Sequence, residues 1–137
     1  MKKVVFVCVH NAGRSQMAEA FFNQFAKGKA KAYSAGTQPA DEVNPIAAKV
    51  MKEVGIDISG AKPKMLTLEM IESADRVITM GCGDDPAGLC PARIVQTEDW
   101  ALEDPKGKPV EKVREIRDTI KERVAKLVQE IIPEQEV

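Results

Sequence analysis

The chain has 137 residues and a formal net charge of −1, with 20 basic residues against 21 acidic ones. Apolar residues make up 44% and charged residues 30%, the balance of an ordinary globular chain, and the length fits one domain over residues 1–137. Without a basic surplus a nucleic-acid binder is not expected, and no apolar run approaches the roughly 18 residues that span a bilayer.

The first residues, Met1 to His10, have the outline of a signal peptide. The apolar stretch Val4 to Val9 is shorter than the roughly 7–15 residues of a secretory core, and His10-Asn11 stops it. A strand buried on both faces, Lys3 to Val9, explains it better. The expected compartment is therefore the cytoplasm, where thiols stay reduced. Three cysteines there point to catalysis, redox exchange or metal binding rather than structural bridges.

A polar turn, Val9 to Ser15, leads into a helix over about Ser15 to Ala26, with Met17, Ala18, Phe21, Phe22 and Phe25 at helical spacing. Lys31 to Ser34 is a second strand, ended by Gly36. Asn44-Pro45 reads as a helix cap followed by proline in the first turn, with the helix over Ile46 to Val54 and Gly55 after it. Residues 56 to 64 form a loop, and Thr67 to Ser73 a short helix. Arg76 to Met80 is the third strand. Residues 81 to 92, rich in Gly and Pro, read as a mobile loop or weak helix, and Arg93 to Gln96 as a fourth strand. Val110, Val113, Ile116, Ile120, Val124, Leu127 and Ile131 mark the last helix, closed by Pro133.

Strands alternating with helices predict βαβ units. Right-handed crossovers reduce the choices to few. The expected fold is α/β, a doubly wound, four-stranded parallel sheet in the order 2-1-3-4 with helices on both faces. Ligands of such sheets bind beyond the carboxyl ends of the strands, where strand order reverses. That places the turn after Cys8 close to the segment that starts at Gly81.

Cys8 ends a buried strand and Arg14 opens a helix, with five residues between them. A loop of that length can turn its backbone N–H groups toward one tetrahedral oxyanion, so Val9, His10, Asn11, Ala12, Gly13 and Arg14 are the candidate oxyanion-binding residues. The helix N-terminus adds its positive end, and the Arg14 guanidinium offers a bidentate fork. Asn11 and Gly13 both tolerate the positive φ that anion nests often need. A helix N-terminus and a cation favour the thiolate form of a cysteine, so Cys8 is the candidate nucleophile, with the Ser15 hydroxyl placed to donate to it. The His10 ring is expected to point outward while its backbone faces the anion. A Cys3His zinc site is the alternative use of these residues, but Cys-x-His and Cys-x7-Cys do not match close ligand pairs, so no metal is expected. Trp100 reads as a packing residue.

The run Cys8-Val9-His10-Asn11-Ala12-Gly13-Arg14-Ser15 resembles the phosphate-binding loop of low-molecular-weight protein tyrosine phosphatases. The chain as a whole resembles more closely the thioredoxin-coupled arsenate reductases built on that fold. The stretches that carry this are Arg14 to Glu19, Tyr33-Ser34-Ala35-Gly36, Val43-Asn44-Pro45, Gly55 to Ser59, the Cys82…Cys90 run and Asp104-Pro105. Two departures are Gly13, where some reductases have an extra cysteine, and Val9-His10, where many have Thr-Gly.

The resemblance implies an arsenate reductase without a cofactor. Cys8 attacks arsenate, and a relay of disulfides through Cys82 and Cys90 is then recycled by thioredoxin. In one helix Cys82 and Cys90 would lie about 12 Å apart, against the roughly 7 Å a disulfide allows, so the pairing needs the segment to loop out. The resemblance also makes Asp104 the general acid, and it sets Lys64 where related potassium-using reductases have an aspartate, near Asn11, Glu19 and Ser34. Lys64 is then expected to replace the ion and pair with Glu19. Nothing points to an obligate interface, so a monomer is expected. The alternative is a phosphatase. Against it, Lys106 follows Asp104-Pro105 where such phosphatases carry an aromatic residue.

Overall fold

The computed structural model describes residues 1–80, 98–100 and 102–132. The first strand, β1 (Lys2–Cys8), pairs in parallel with β2 (Ala30–Gly36) on one side and with β3 (Arg76–Thr79) on the other. A two-residue strand, β4 (Glu98–Asp99), adds to β3. The sheet is four-stranded and parallel in the order β2-β1-β3-β4, the expected order. Among the described residues the fourth strand is Glu98–Asp99; the strand expected at 93–96 lies outside the described residues.

Side chains alternate across β1, and the two faces bury different helices. Val4, Phe6 and Cys8 join the larger core with α1 (Arg14–Ala26), α2 (Pro45–Glu53) and α4 (Val110–Ile131). Phe6 packs against Phe22 and Trp100 there, and truncating such a buried ring costs about 3–5 kcal/mol. Val5 and Val7 face the other way, where Ile71 of the short α3 (Leu68–Ser73) covers them with Val77. The three-to-four-residue repeat of the last helix buries Val113, Ile116, Ile120, Val124 and Leu127.

The ends of the helices follow from their sequence. Asn44 caps α2 by accepting the Ile46 and Ala47 N–H groups, with Pro45 at the first position. Thr67 caps α3 through the Met70 N–H. Asn23 of α1 reaches to edge strand β2, where its side chain both donates to and accepts from the backbone of Ala32, which blunts that edge against pairing with another strand. Among the described residues no helix is long and apolar enough to cross a membrane.

Candidate active site

The turn between β1 and α1 is held from outside by the segment that follows β2. The carbonyls of Cys8, Val9, His10 and Ala12 accept the N–H groups of Thr37, Gln38, Ala40 and Asn44 at 3.3, 2.8, 3.0 and 2.8 Å. In a planar trans peptide the next N–H points opposite to the carbonyl. Four carbonyls turned outward therefore turn the N–H groups of Val9, His10, Asn11 and Gly13 inward. The Asn11 N–H demonstrates it, reaching Cys8 Sγ at 3.3 Å. Converging amides at a helix N-terminus are an anion cradle.

Of the two residues expected to relieve the turn, only Asn11 has a positive φ, 51°. Gly13 has φ −138°, not a positive φ, and its lack of a side chain serves packing. A Cβ at Gly13 would lie 2.8 Å from Cγ of Pro105, so the bare glycine lets the Asp104-Pro105 turn close over the loop.

Cys8 is buried at the floor, 2% exposed. Ser15 Oγ lies 2.8 Å from its sulfur, and Asn11 Nδ2 donates to that hydroxyl at 2.6 Å. Arg14 is also buried. Its Nη1 donates to the carbonyls of Met80, at 2.6 Å, and Leu102, at 2.9 Å. Its Nη2 stands 3.8 Å from Asp104 Oδ2. Nε is buried and has no partner among the described residues. The Nε–Nη2 edge is the side-on fork of a guanidinium, so the edge that suits a tetrahedral oxyanion is the one the fold leaves available.

The half-exposed Asp104 is oriented by its own turn, with Oδ1 accepting the Lys106 N–H at 3.0 Å. It lines, with Cys8, His10, Ala12, Gly13 and Arg14, a cavity of about 270 Å³ whose far rim is Glu42, Asn44 and Lys106. His10 Nδ1 is 3.1 Å from the Gln38 carbonyl; a carbonyl only accepts, so Nδ1 carries a proton and the ring is tied to the buttressing segment. Trp100 lies in the core, with the Arg123 guanidinium 5.9 Å from its ring, and does not line the cavity.

Cys82 and Cys90 lie outside the described residues. Met80, two positions before Cys82, is held at the site through its carbonyl by Arg14 and through its N–H by the Val7 carbonyl. Lys64 Nζ stands 3.9 Å from Glu19 Oε1, and its backbone N–H bonds Asn11 Oδ1. Among the described residues no three His, Cys, Asp or Glu side chains group as a metal site.

Away from the site, two carboxyls have displaced ionisation. The Arg114 guanidinium, hydrogen-bonded to Glu53 and seconded by Arg117, holds that carboxyl below its ordinary range, and the Ser59 hydroxyl does the same for Asp57. The residues that sequence reasoning missed are Gly36, Gln38, Ala40 and Gln16, and the carbonyls of Met80 and Leu102. All but Gln16 act through backbone groups or close approach, which side-chain patterns do not display.

A model of the low molecular weight phosphotyrosine protein phosphatase family matches residues 3–137. The glutaredoxin arsenate reductase of Synechocystis is 42% identical to the chain, over 96% of this chain and 99% of the relative. The thioredoxin-dependent arsenate reductase of Corynebacterium glutamicum superposes with a TM-score of 0.81 at 39% identity, over 98% of this chain and 64% of that one. An arsenate reductase solved in its phosphate binding state gives 0.80 at 41% identity, over 96% and 99%. The chain thus belongs to the low molecular weight phosphotyrosine protein phosphatase family, and within it is similar to the arsenate reductases.

Proposed function

We propose that the protein reduces arsenate to arsenite, with Cys8 as nucleophile and thioredoxin as the electron donor. One observation carries this reading furthest. The buried Cys8 sulfur sits beneath inward amides and beside the open edge of Arg14, the geometry that holds a tetrahedral oxyanion against a thiolate. The similarity to arsenate reductases, one of them solved with phosphate, supports the substrate class.

The cysteines set the chemistry apart from simple ester hydrolysis. The Cys8 thiolate attacks arsenate, an oxygen leaves as water with a proton from Asp104, and a thiol–arsenate adduct forms. Cys82 thiolate then attacks the Cys8 sulfur. The S–As electron pair passes to arsenic, which falls from As(V) to As(III) and leaves as arsenite, and a Cys8–Cys82 disulfide remains. Cys90 attacks Cys82 and releases the Cys8 thiolate. The Cys82–Cys90 disulfide takes two electrons from the thioredoxin dithiol, which is itself oxidised. The nucleophile needs no external thiol in this scheme, because both resolving thiols are in the chain.

The coupled assay decides it. Reduced protein with arsenate, NADPH, thioredoxin and thioredoxin reductase is expected to consume NADPH in proportion to arsenate, and Cys8→Ser to abolish it. Turnover only with glutathione, glutaredoxin and glutathione reductase would replace thioredoxin as donor. Release of p-nitrophenol from its phosphate ester without arsenate-dependent oxidation would make the protein a phosphatase. The rim speaks against that outcome: among the described residues His10 is its only aromatic side chain, and Lys106 follows Pro105.

A further inference from the structure

Behind Cys8 runs a line of hydrogen bonds whose direction is set from its far end. The Lys64 backbone N–H can only donate, and it bonds Asn11 Oδ1 at 2.9 Å. That fixes which end of the Asn11 amide is oxygen, so Nδ2 is the donor to Ser15 Oγ. With Asn11 donating onto its oxygen, Ser15 has its single hydroxyl proton left for Cys8 Sγ at 2.8 Å. The sulfur then receives two donors, Ser15 Oγ and the Asn11 N–H, which is the arrangement a thiolate needs.

Gln16 stands at the head of this line. It is buried, 1% exposed, and is not among the residues that line the cavity. Its Nε2 donates to Asn11 Oδ1 at 3.1 Å and to the Lys62 carbonyl at 3.2 Å. The first bond places a second donor on the oxygen that Lys64 already holds. The second anchors the backbone stretch that delivers the Lys64 N–H. Both protons of the Gln16 amide thus serve to keep Asn11 in one orientation.

We propose that Gln16 is a positioning residue for the nucleophile, holding the Asn11 amide so that Ser15 donates to Cys8. This rests on the reading of Cys8 as the nucleophile, but its test does not use arsenate. A structural role alone, tying α1 to the loop before Lys64, predicts a loss of stability that does not depend on Ser15.

The experiment is a double-mutant cycle in the full chain carrying Cys82→Ser and Cys90→Ser, so that only Cys8 reacts. The rate of alkylation by iodoacetamide at pH 7, in buffer free of oxyanions, is the readout. Gln16→Met keeps the length and removes both donors; it is expected to slow alkylation about tenfold, the size of a hydrogen bond to a charged group. In a Ser15→Ala background the same change is expected to alter the rate by less than about twofold, because the line is already cut. Gln16→Glu, which only accepts, sets a carboxylate against Asn11 Oδ1 and is expected to be slower than Gln16→Met. Equal slowing in both backgrounds, or none with Ser15 present, would overturn the proposal. Should Gln16→Met fail to fold, as judged by Trp100 fluorescence, Gln16→Asn makes the same comparison. If the protein proves not to reduce arsenate while this cycle holds, only the functional reading fails.

Discussion

Gly36 and Val9 approach so closely that a Cβ on Gly36 would stand 2.6 Å from the Val9 carbonyl oxygen, with the Asn11 backbone nitrogen at 3.0 Å. Both obstacles are backbone, and the Val9 carbonyl is already committed to the Gln38 N–H. The end of β2 is therefore the wall against which the anion loop is moulded. Gly36→Ala is expected to destabilise the fold by about 1–3 kcal/mol, as overpacking does, and to weaken phosphate binding at least tenfold by calorimetry, since the inward amides must shift. Unchanged phosphate affinity in that variant would show that the loop keeps its shape without this wall.

The two cysteines beyond Met80 are separable by single-turnover chemistry. Reduced protein mixed with arsenate and no thioredoxin is rapidly quenched. Cys82→Ser is expected to release no arsenite, because nothing attacks the Cys8 sulfur. Cys90→Ser is expected to release close to one arsenite per protein and then stall with a disulfide between Cys8 and Cys82. Repeated turnover by Cys90→Ser on adding thioredoxin, at the wild-type rate, would remove Cys90 from the relay.

Lys64 sets its ammonium 3.9 Å from Glu19 while its backbone N–H holds Asn11. We propose that this cation does the electrostatic work of a bound ion close behind the loop. The melting temperature is expected to be the same in potassium chloride and in tetramethylammonium chloride at equal ionic strength. A marked rise confined to potassium would show that the ion has a site of its own.

Glu53 ties α2 to α4 through Arg114, at 2.8 Å, and Arg117, at 3.0 Å. Its carboxyl is held below the ordinary value of 4.5, chiefly by the Arg114 hydrogen bond. A group depressed on folding stabilises above its unfolded pKa, and that contribution is lost as pH falls through the folded one. The melting temperature of Glu53→Gln is therefore expected to lie below the wild type's at pH 7. Thermal scans should show the gap closing on acidification below about pH 4.5. A gap that stays constant down to pH 3 would remove the ionised carboxylate as its cause.

All the elements but β4, at Glu98–Asp99, were legible in the sequence because each carried a local signal. β-branched runs bounded by polar turns marked β1 and β3, Asn44-Pro45 the start of α2, and the Val110-to-Ile131 repeat the last helix. Parallel pairing and strand order followed from the alternation of strands and helices and the handedness of crossovers, and these placed the loop after Cys8 at the switch point. The identity of Cys8, Arg14 and Ser15 as candidates was legible too, from residue type and spacing, and Asp104 entered through the family resemblance. What spacing does not determine is direction. That the amides of the turn face inward depends on the N–H groups of Thr37, Gln38, Ala40 and Asn44 binding its carbonyls from 29 to 32 residues away along the chain, and backbone groups are identical whatever the side chain. The edge of Arg14 that remains for an anion was decided by the Met80 and Leu102 carbonyls. Gly13 was read as a glycine for positive φ, which it does not take, and the space it leaves for Pro105 was not legible, because that neighbour is 92 positions away in sequence. The sequence by itself determined which groups are available; tertiary packing decided which way each one points, because orientation is fixed by hydrogen bonds and contacts between segments that no local pattern relates.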